Sequence, residues 1–480
     1  MIDLKRQFIN DFSKAMLENN AAVFAGAGLS VPAGYVNWKE LLREFSESIG
    51  LSVDKEHDLI SLAQYYKNST QSKNHISQNI IEEFTKNAKE NEMLNVITKM
   101  PINTYWTTNY DTLIEDSLKK YNKRVDVKID NNDLSITKSN IDSIVYKFHG
   151  DISRPYEAVL TRDDYEKFDQ THKLFIHNLQ GDLISKTFVF VGYSLNDPDI
   201  QQILSKIRIL VGENIRSHYC FRKNVSLEMF KNSDTPQEDF NYAKIKQELE
   251  INDLRRYGIH TLLVEDYSDI TSIFKQCYQL FLSHSIFIAG SCRDYSDWNS
   301  QEASSMLYKL GYKLIENNII VSSGNIEGVG PQIINGAITS ITERNYDISK
   351  YLKIKTLPLI AGKDTHINIQ AKKKFQNNMI SEAGIVIFLF GNQYYDNTLQ
   401  NSRGVIHDFR RAVDQNRFVI PVASTGWASL EIFQEILSNF SNYSYLKDFM
   451  DQLLIERDPD KLSDLIISCI KYIKSSFILK

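Results

Sequence analysis

A short apolar run that stops abruptly on glycine or a small polar residue recurs in two separate regions of this chain. In the first region the runs are "AAVFAGAG", "TYWTTNYD", "SIVYKFHGD" and "KTFVFVGYS"; in the second they are "HSIFIAGSC", "NNIIVSSGNIEGVG", "AGIVIFLFGNQ" and "NRFVIPVASTG". Runs that are apolar throughout, rather than alternating, read as strands covered on both faces. Segments with apolar residues at three- and four-residue spacing fall between them, such as "QEASSMLYKLGYKLIE" and "GVIHDFRRAVDQ". Strand therefore alternates with helix, and the expected class is α/β with two parallel-sheet domains, residues 1–283 and 284–480. A long helical stretch over 57–100 reads as an insertion in the first sheet. The helix "DITSIFKQCYQLFLSH" closes that domain before a new strand opens at Ser285.

Composition removes several function classes. The chain has 480 residues, 42% apolar and 24% charged, which suits two or three soluble domains with real cores. A formal net charge of -5 offers no overall basic field for a nucleic acid. No run approaches the ~18 apolar residues of a membrane span. The opening "MIDLKRQFINDFSKAML" interleaves charge with apolar residues, unlike a signal peptide, so a cytoplasmic protein is expected. Cys220, Cys277, Cys292 and Cys469 never form a C-x-x-C pair, which argues for buried thiols rather than a zinc module or disulfide framework, and no metal is expected.

Ligands of parallel sheets sit beyond the carboxyl ends of the strands, where glycine admits phosphate to the main chain and helix N-termini favour its charge. Gly26 and Gly28 fit that place, although the sixth position of the dinucleotide fingerprint is Val31 rather than glycine. Asn37 with Glu40 reads as a capping box that starts a fresh helix, which leaves 29–36 as a loop over the ligand. Asn109, Asp111, His149, Ser194 and Asn196 end the other strands. Taken singly each has a plain reading as a helix cap or turn residue; together on one edge they outline a cleft. In the second region Gly290 and Ser291, then Gly324, Gly328 and Gly330 ahead of a helix, read either as a phosphate-binding set or as turn glycines. Residues 222–247 read as a solvated excursion.

In this order Gly26-Ala27-Gly28-x-Ser30, Thr108-Asn109-x-Asp111, His149-Gly150 and Gly192-x-Ser194-Leu195 resemble the motif set of the Sir2 family. The resemblance implies a Rossmann-like domain that binds NAD+. Ala25, Gly26, Ala27, Gly28 and Ser30 would meet the pyrophosphate, and Thr108, Asn109 and Asp111 the nicotinamide ribose. His149 would act as base on a ribose hydroxyl, and Gly192, Ser194 and Leu195 would hold the adenosine half. Asn109 and His149 are the expected catalytic pair. The family's deacylases carry a four-cysteine zinc ribbon that these cysteines cannot build, so water is the expected acceptor. Nicotinamide leaves as a neutral molecule, and the remaining demand is stabilisation of an oxocarbenium-like sugar.

The second region resembles the SLOG family of Rossmann-like nucleotide sensors, related to the LOG phosphoribohydrolases. Its "FLFGNQ" and "SRGVIHDF" lack the catalytic double glycine and put Asp408 where those enzymes have glutamate. Binding without catalysis is implied, at Gly290, Ser291, Gly324, Gly328, Gly330, Gly391, Gln393 and Asp408. Where the family places an arginine this chain has Gln376 and Asn377, with Lys372 to Lys374 nearby. A Sir2-like domain followed by a SLOG domain resembles the effectors of Thoeris antiphage systems. That implies a homotetrameric NAD+ hydrolase switched on by a cyclic ADP-ribose isomer from a TIR-domain partner. A non-catalytic nucleotide-binding scaffold and a Sir2-type protein deacylase remain open as alternatives.

Overall fold

The run before the first glycine pair, Ala21–Ala25 (β1), is buried at every position, as a strand covered on both faces must be. Its sheet has seven parallel strands in the order β3-β4-β2-β1-β5-β6-β7. The others are Thr104–Thr107 (β2), Val125–Lys128 (β3), Ser143–Lys147 (β4), Thr187–Val191 (β5), His218–Lys223 (β6) and Ile259–Val264 (β7). The chain leaves β1 for β2 on one side and later returns to β5 on the other, so the strand order reverses beside β1. That is where open parallel sheets bind ligands.

The computed structural model describes residues 2–136, 138–195, 198–212, 215–354 and 365–479. They divide into two units, Met1–Cys277 and Tyr278–Lys480, and the helix Tyr267–Leu282 crosses the division. The second unit has its own parallel sheet, order β10-β9-β8-β11-β14. Its strands are Ser285–Ser291 (β8), Ile320–Ser323 (β9), Leu352–Ile354 (β10), Ile385–Phe390 (β11) and Phe418–Pro421 (β14). A separate antiparallel hairpin, Asn392–Tyr395 (β12) and Thr398–Asn401 (β13), follows β11 directly. Both sheets are thus the α/β architecture expected from the alternation of strand and helix. Among the described residues no helix is long and apolar enough to cross a membrane, and all four cysteines are buried.

The insertion between β1 and β2 is helical, with its main helices at Leu59–Thr70, Asn74–Phe84 and Glu92–Lys99. Asp58 and Asn91 cap the first and last of these by accepting from Ser61 N and Leu94 N. Its apolar face, including Phe45, Leu62, Tyr66, Ile76 and Ile80, packs with Tyr110, Ala158 and Leu160. Those three belong to the segments that follow β2 and β4, so the insertion sits at the carboxyl edge of the sheet.

Several local readings change. Residues 27–33 are a short helix, Ala27–Ser30, and a 3-10 turn, Val31–Ala33, rather than a loop from 29 onward. Asn37 does cap the following helix, accepting from Glu40 N at 2.9 Å. The Glu40 carboxylate turns instead to Arg43, so the reciprocal half of the box is missing. The excursion at 222–247 contains most of a long helix, Pro236–Arg255, whose many polar residues hide its period. Strands β3, β6, β7 and β10 escaped the sequence reading because none ends on a glycine signature.

Two helices of the second unit touch through glycine. Gly311 and Gly336 lie on the helices Ser300–Glu316 and Gly330–Glu343, and a Cβ on either would overlap the other helix's main-chain oxygen, at Ile333 or Tyr308. Gly336→Ala should cost about 1–3 kcal/mol through overpacking, read as a lower urea midpoint with an unchanged slope. In the first unit, the Nδ1 of buried His218 accepts from Phe188 N at 3.2 Å, which fixes a neutral ring. Burial, with Arg216 nearby, pushes its pKa down to about 3. The unfolded chain therefore binds a proton here that the folded one refuses. Stability is complete above about pH 6.5 and falls below it by ~1.4 kcal/mol per pH unit. A His218→Asn variant should flatten urea-unfolding free energies across pH 7 to 5 by about that slope.

Candidate active site

Strand register brings the predicted residues of the first unit to one edge. Ala25 of β1 pairs with Thr107 of β2 and Val191 of β5, and Thr107 pairs with Lys147 of β4. Four neighbouring strands therefore end level, and Asn109 and His149 stand at equivalent positions on two of them. Gly26, Gly28 and Gly192 meet first of all each other. Gly26 N donates to Val191 O at 3.0 Å and Gly28 N to Gly192 O at 2.9 Å. A Cβ on Gly28 would stand 2.8 Å from Gly192 Cα, and Gly192 itself has φ +63°. Glycine is required here because two main chains touch. The Gly28 N–H is spent on that contact.

Asn109 is fixed from below. Its main-chain N–H donates to Thr107 Oγ1 at 3.0 Å, and that hydroxyl donates to Ala25 O at 3.0 Å. Its side-chain amide donates to Gly26 O at 3.0 Å and to Ser30 Oγ at 2.9 Å. Ser30 in turn donates to Asp111 Oδ2 at 2.7 Å, while Asp111 Oδ1 accepts from Leu113 N at 3.0 Å. Both amide hydrogens of Asn109 are engaged, which settles its rotamer and leaves Oδ1 as the acceptor. A hydroxyl or water brought to that oxygen donates its proton to it. The Asp111 charge also reaches Tyr35, whose phenol is shifted upward by burial and by Asp111.

His149 is 4% exposed, with its ring centroid 5.6 Å from those of Tyr165 and Phe168. Its main-chain oxygen accepts from Val159 N at 2.9 Å, and Gly150 turns the chain with φ +102°. His172 stacks on Phe168, and burial together with nearby His149 lowers its pKa to about 4. Thr108 is half-buried, and Ser194 is exposed. Leu195 is buried with φ +61°, uncommon for a leucine, and its carbonyl accepts from Gln201 at 3.1 Å. Asn196 lies outside the described residues.

The sequence reading passed over two residues of this edge. Thr107, rather than Thr108, supplies the hydroxyl that braces Asn109. Lys147 is fully buried at the end of β4. Its signal was legible: a lysine inside the apolar run "SIVYKFHG" has no surface to reach.

In the second unit a cleft of about 520 Å³ is lined by Cys292, Arg293, Tyr295, Glu327, Gly328 and Tyr394, among others. Of the predicted residues Gly328 lines it, with φ +82° and a main chain so close to Cys292 O that a Cβ would overlap it. Gly290, Ser291 and Gly391 are not among its lining residues and instead join the end of β8 to the end of β11. Gly290 abuts Leu389 O, Ser291 Oγ donates to Asn392 O at 3.0 Å, and Gly391 N donates to Ser291 O at 2.9 Å. Gly324 follows β9, Gly330 begins its helix, and Gln393 is exposed on β12 next to Tyr394. Asp408 is buried in the helix Arg403–Asp414, 2.8 Å from Arg411, and burial raises its pKa to about 6. It is not among the lining residues of the cleft. Gln376 and Asn377 lie on the helix Thr365–Ser381 with exposed Lys373 and Lys374; the Lys372 side chain is outside the description. No group of three His, Cys, Asp or Glu among the described residues could hold a metal ion.

Comparison with known proteins agrees with both halves. A SIR2-like domain model matches residues 103–247, and a model of the Sir2- and TIR-associating SLOG family matches 269–473. The class is thus a SIR2-like domain followed by a SLOG domain. Relatives of this chain carry the name NAD(+) hydrolase ThsA. The protein of Cytobacillus dafuensis is 40% identical, over 92% of this chain and 90% of its own. That of Enterococcus faecium is 39% identical over 98% and 99%, and that of Bacillus cereus (strain MSX-D12) 37% over 97% of each. The chain belongs to the ThsA family.

Ser30 is the joint between Asn109 and Asp111, and its loss strands a donor on one side and an acceptor on the other. Ser30→Ala should lower the unfolding free energy by about 1–3 kcal/mol. A change within about 0.3 kcal/mol in urea titration would show that water replaces the hydroxyl freely.

Proposed function

We propose that this chain is an NAD+ glycohydrolase that splits NAD+ into ADP-ribose and nicotinamide and acts in antiphage defence. The observation that carries the reading is the fixed amide of Asn109, whose Oδ1 is the open acceptor beside the Gly26 turn. The names of the ThsA relatives support the same chemistry. In this reading the main chain around Gly26 receives the pyrophosphate, with Ala25, Ala27 and Gly28 shaping the turn. Asn109 Oδ1 orients a ribose hydroxyl or the attacking water, and Thr108 and Asp111 complete the ribose pocket. His149 accepts the proton, while Gly192, Ser194 and Leu195 hold the adenosine half. Nicotinamide departs neutral, so the protein's task is to stabilise an oxocarbenium-like ribose and to present water to it.

The second unit supplies the regulatory half of the proposal. A cyclic ADP-ribose-type nucleotide made by a TIR-domain partner binds the cleft beside Gly328 and switches on hydrolysis, in a cytoplasmic homotetramer. The name of the matching family, Sir2- and TIR-associating SLOG, supports that partnership. Such an activator must bind the active arrangement more tightly than the resting one, since equal affinity shifts nothing.

Purified protein incubated with NAD+, with and without a panel of cyclic ADP-ribose isomers, tests the proposal by nicotinamide release. Asn109→Ala and His149→Ala should each lose about 10² to 10⁴ in turnover while NAD+ still binds. Wild type that binds NAD+ without turnover under every condition is a scaffold, and one that deacylates an acyl-peptide is a deacylase; either result ends this reading.

A further inference from the structure

The group that the reaction leaves unused is Lys147. Its side chain has no exposed surface, and its ammonium lies 3.1 Å from Asp151 Oδ2 and 3.2 Å from Glu115 Oε1. It also donates to the main-chain oxygen of Asp111. One main-chain oxygen and two carboxylates thus surround the ammonium. Neither oxygen of Glu115 receives a hydrogen bond, so that pairing is ionic, and burial shifts the Glu115 carboxyl upward. Asp151 is better held, with Oδ1 accepting from Ser153 N at 2.8 Å.

Stability alone is a poor account of this cluster. Buried ion clusters are often matched or bettered by apolar residues of similar volume, and Val145 and Phe148 on either side of Lys147 are fully buried apolar residues. What an apolar side chain cannot do is join the segments this ammonium joins. Asp111 lies two residues beyond Asn109 and carries the Ser30 link. Asp151 lies two residues beyond His149. Glu115 opens the helix Leu113–Lys120 that leaves the first turn.

We propose that Lys147 is a positioning residue for NAD+ hydrolysis: it fixes the turn that carries Asn109 against the turn that carries His149, without touching substrate. The inference rests on the hydrolase reading above. Misplacement of a reacting group by about 1 Å can cost on the order of 10²-fold in rate, so the predicted defect lies in kcat.

Lys147→Met and the double variant Lys147→Met/Glu115→Leu are compared with wild type in full-length protein, under the nucleotide conditions that give turnover. Lys147→Met should lose roughly 10²-fold in kcat, with KM for NAD+ within about threefold, and should melt at a lower temperature. The double variant removes the stranded carboxylate and should recover most of the lost melting temperature while kcat stays low. Recovery of kcat along with stability would mean that the cluster only holds the fold, and the inference fails. It also fails if Lys147→Met folds with kcat within about threefold of wild type, or if neither variant folds. Wild type without turnover in every arm removes the hydrolase reading itself; an active wild type beside an unimpaired variant removes this inference alone.

Discussion

The first unit depends on a contact between two stretches of main chain. Where β1 ends, Gly26 and Gly28 lie against Gly192, and two backbone hydrogen bonds, to Val191 O and Gly192 O, join the turns. No side chain fits between them. The contact brings the end of β5 against the turn after β1, beside the place where the strand order reverses. The polar groups around Asn109 are then measured from it: Asn109 binds Gly26 O, Thr107 binds Ala25 O, and Ser30 closes the helix that Gly26 begins.

From that contact the site is built by local hydrogen bonds of ordinary length. Thr107, Asn109, Ser30 and Asp111 form one continuous chain in which each donor has a named acceptor. Such networks are rigid when complete and costly when a member is missing. The His149 side is built differently, from an aromatic wall of Phe148, Tyr165 and Phe168. A polar half and an apolar half thus face the same edge. The polar half suits a sugar with its hydroxyls; the apolar half keeps a neighbouring imidazole, His172, neutral.

Much of this was legible from the residues. Apolar runs ending on glycine or a small polar residue located β1, β2, β4, β5, β8, β9, β11 and β14, and their polar ends named Asn109, Asp111 and His149. What the sequence could not give was partnership across distant segments. Gly28 reads as a phosphate turn until Gly192 is seen against it, and Ser30 reads as a loop serine until Asn109 and Asp111 arrive from β2. Asp408, placed by analogy with a catalytic glutamate, is turned toward Arg411 within its own helix. Arg293 and Tyr394, which line the second cleft, come from a segment just past β8 and from a hairpin that carried no glycine signature.

The helical insertion is stitched to the turn it overlies. Asn91 Nδ2 donates to Leu29 O at 2.7 Å, Lys89 N to Ala33 O at 2.8 Å, and the Tyr35 hydroxyl to Lys86 O at 3.1 Å. A displacement that lifts residues 86–91 must either rupture all three links together or drag Leu29 through Tyr35 along. Roof and wall are joined at three points, so a strain placed on the insertion is handed directly to the turn that Gly26 begins.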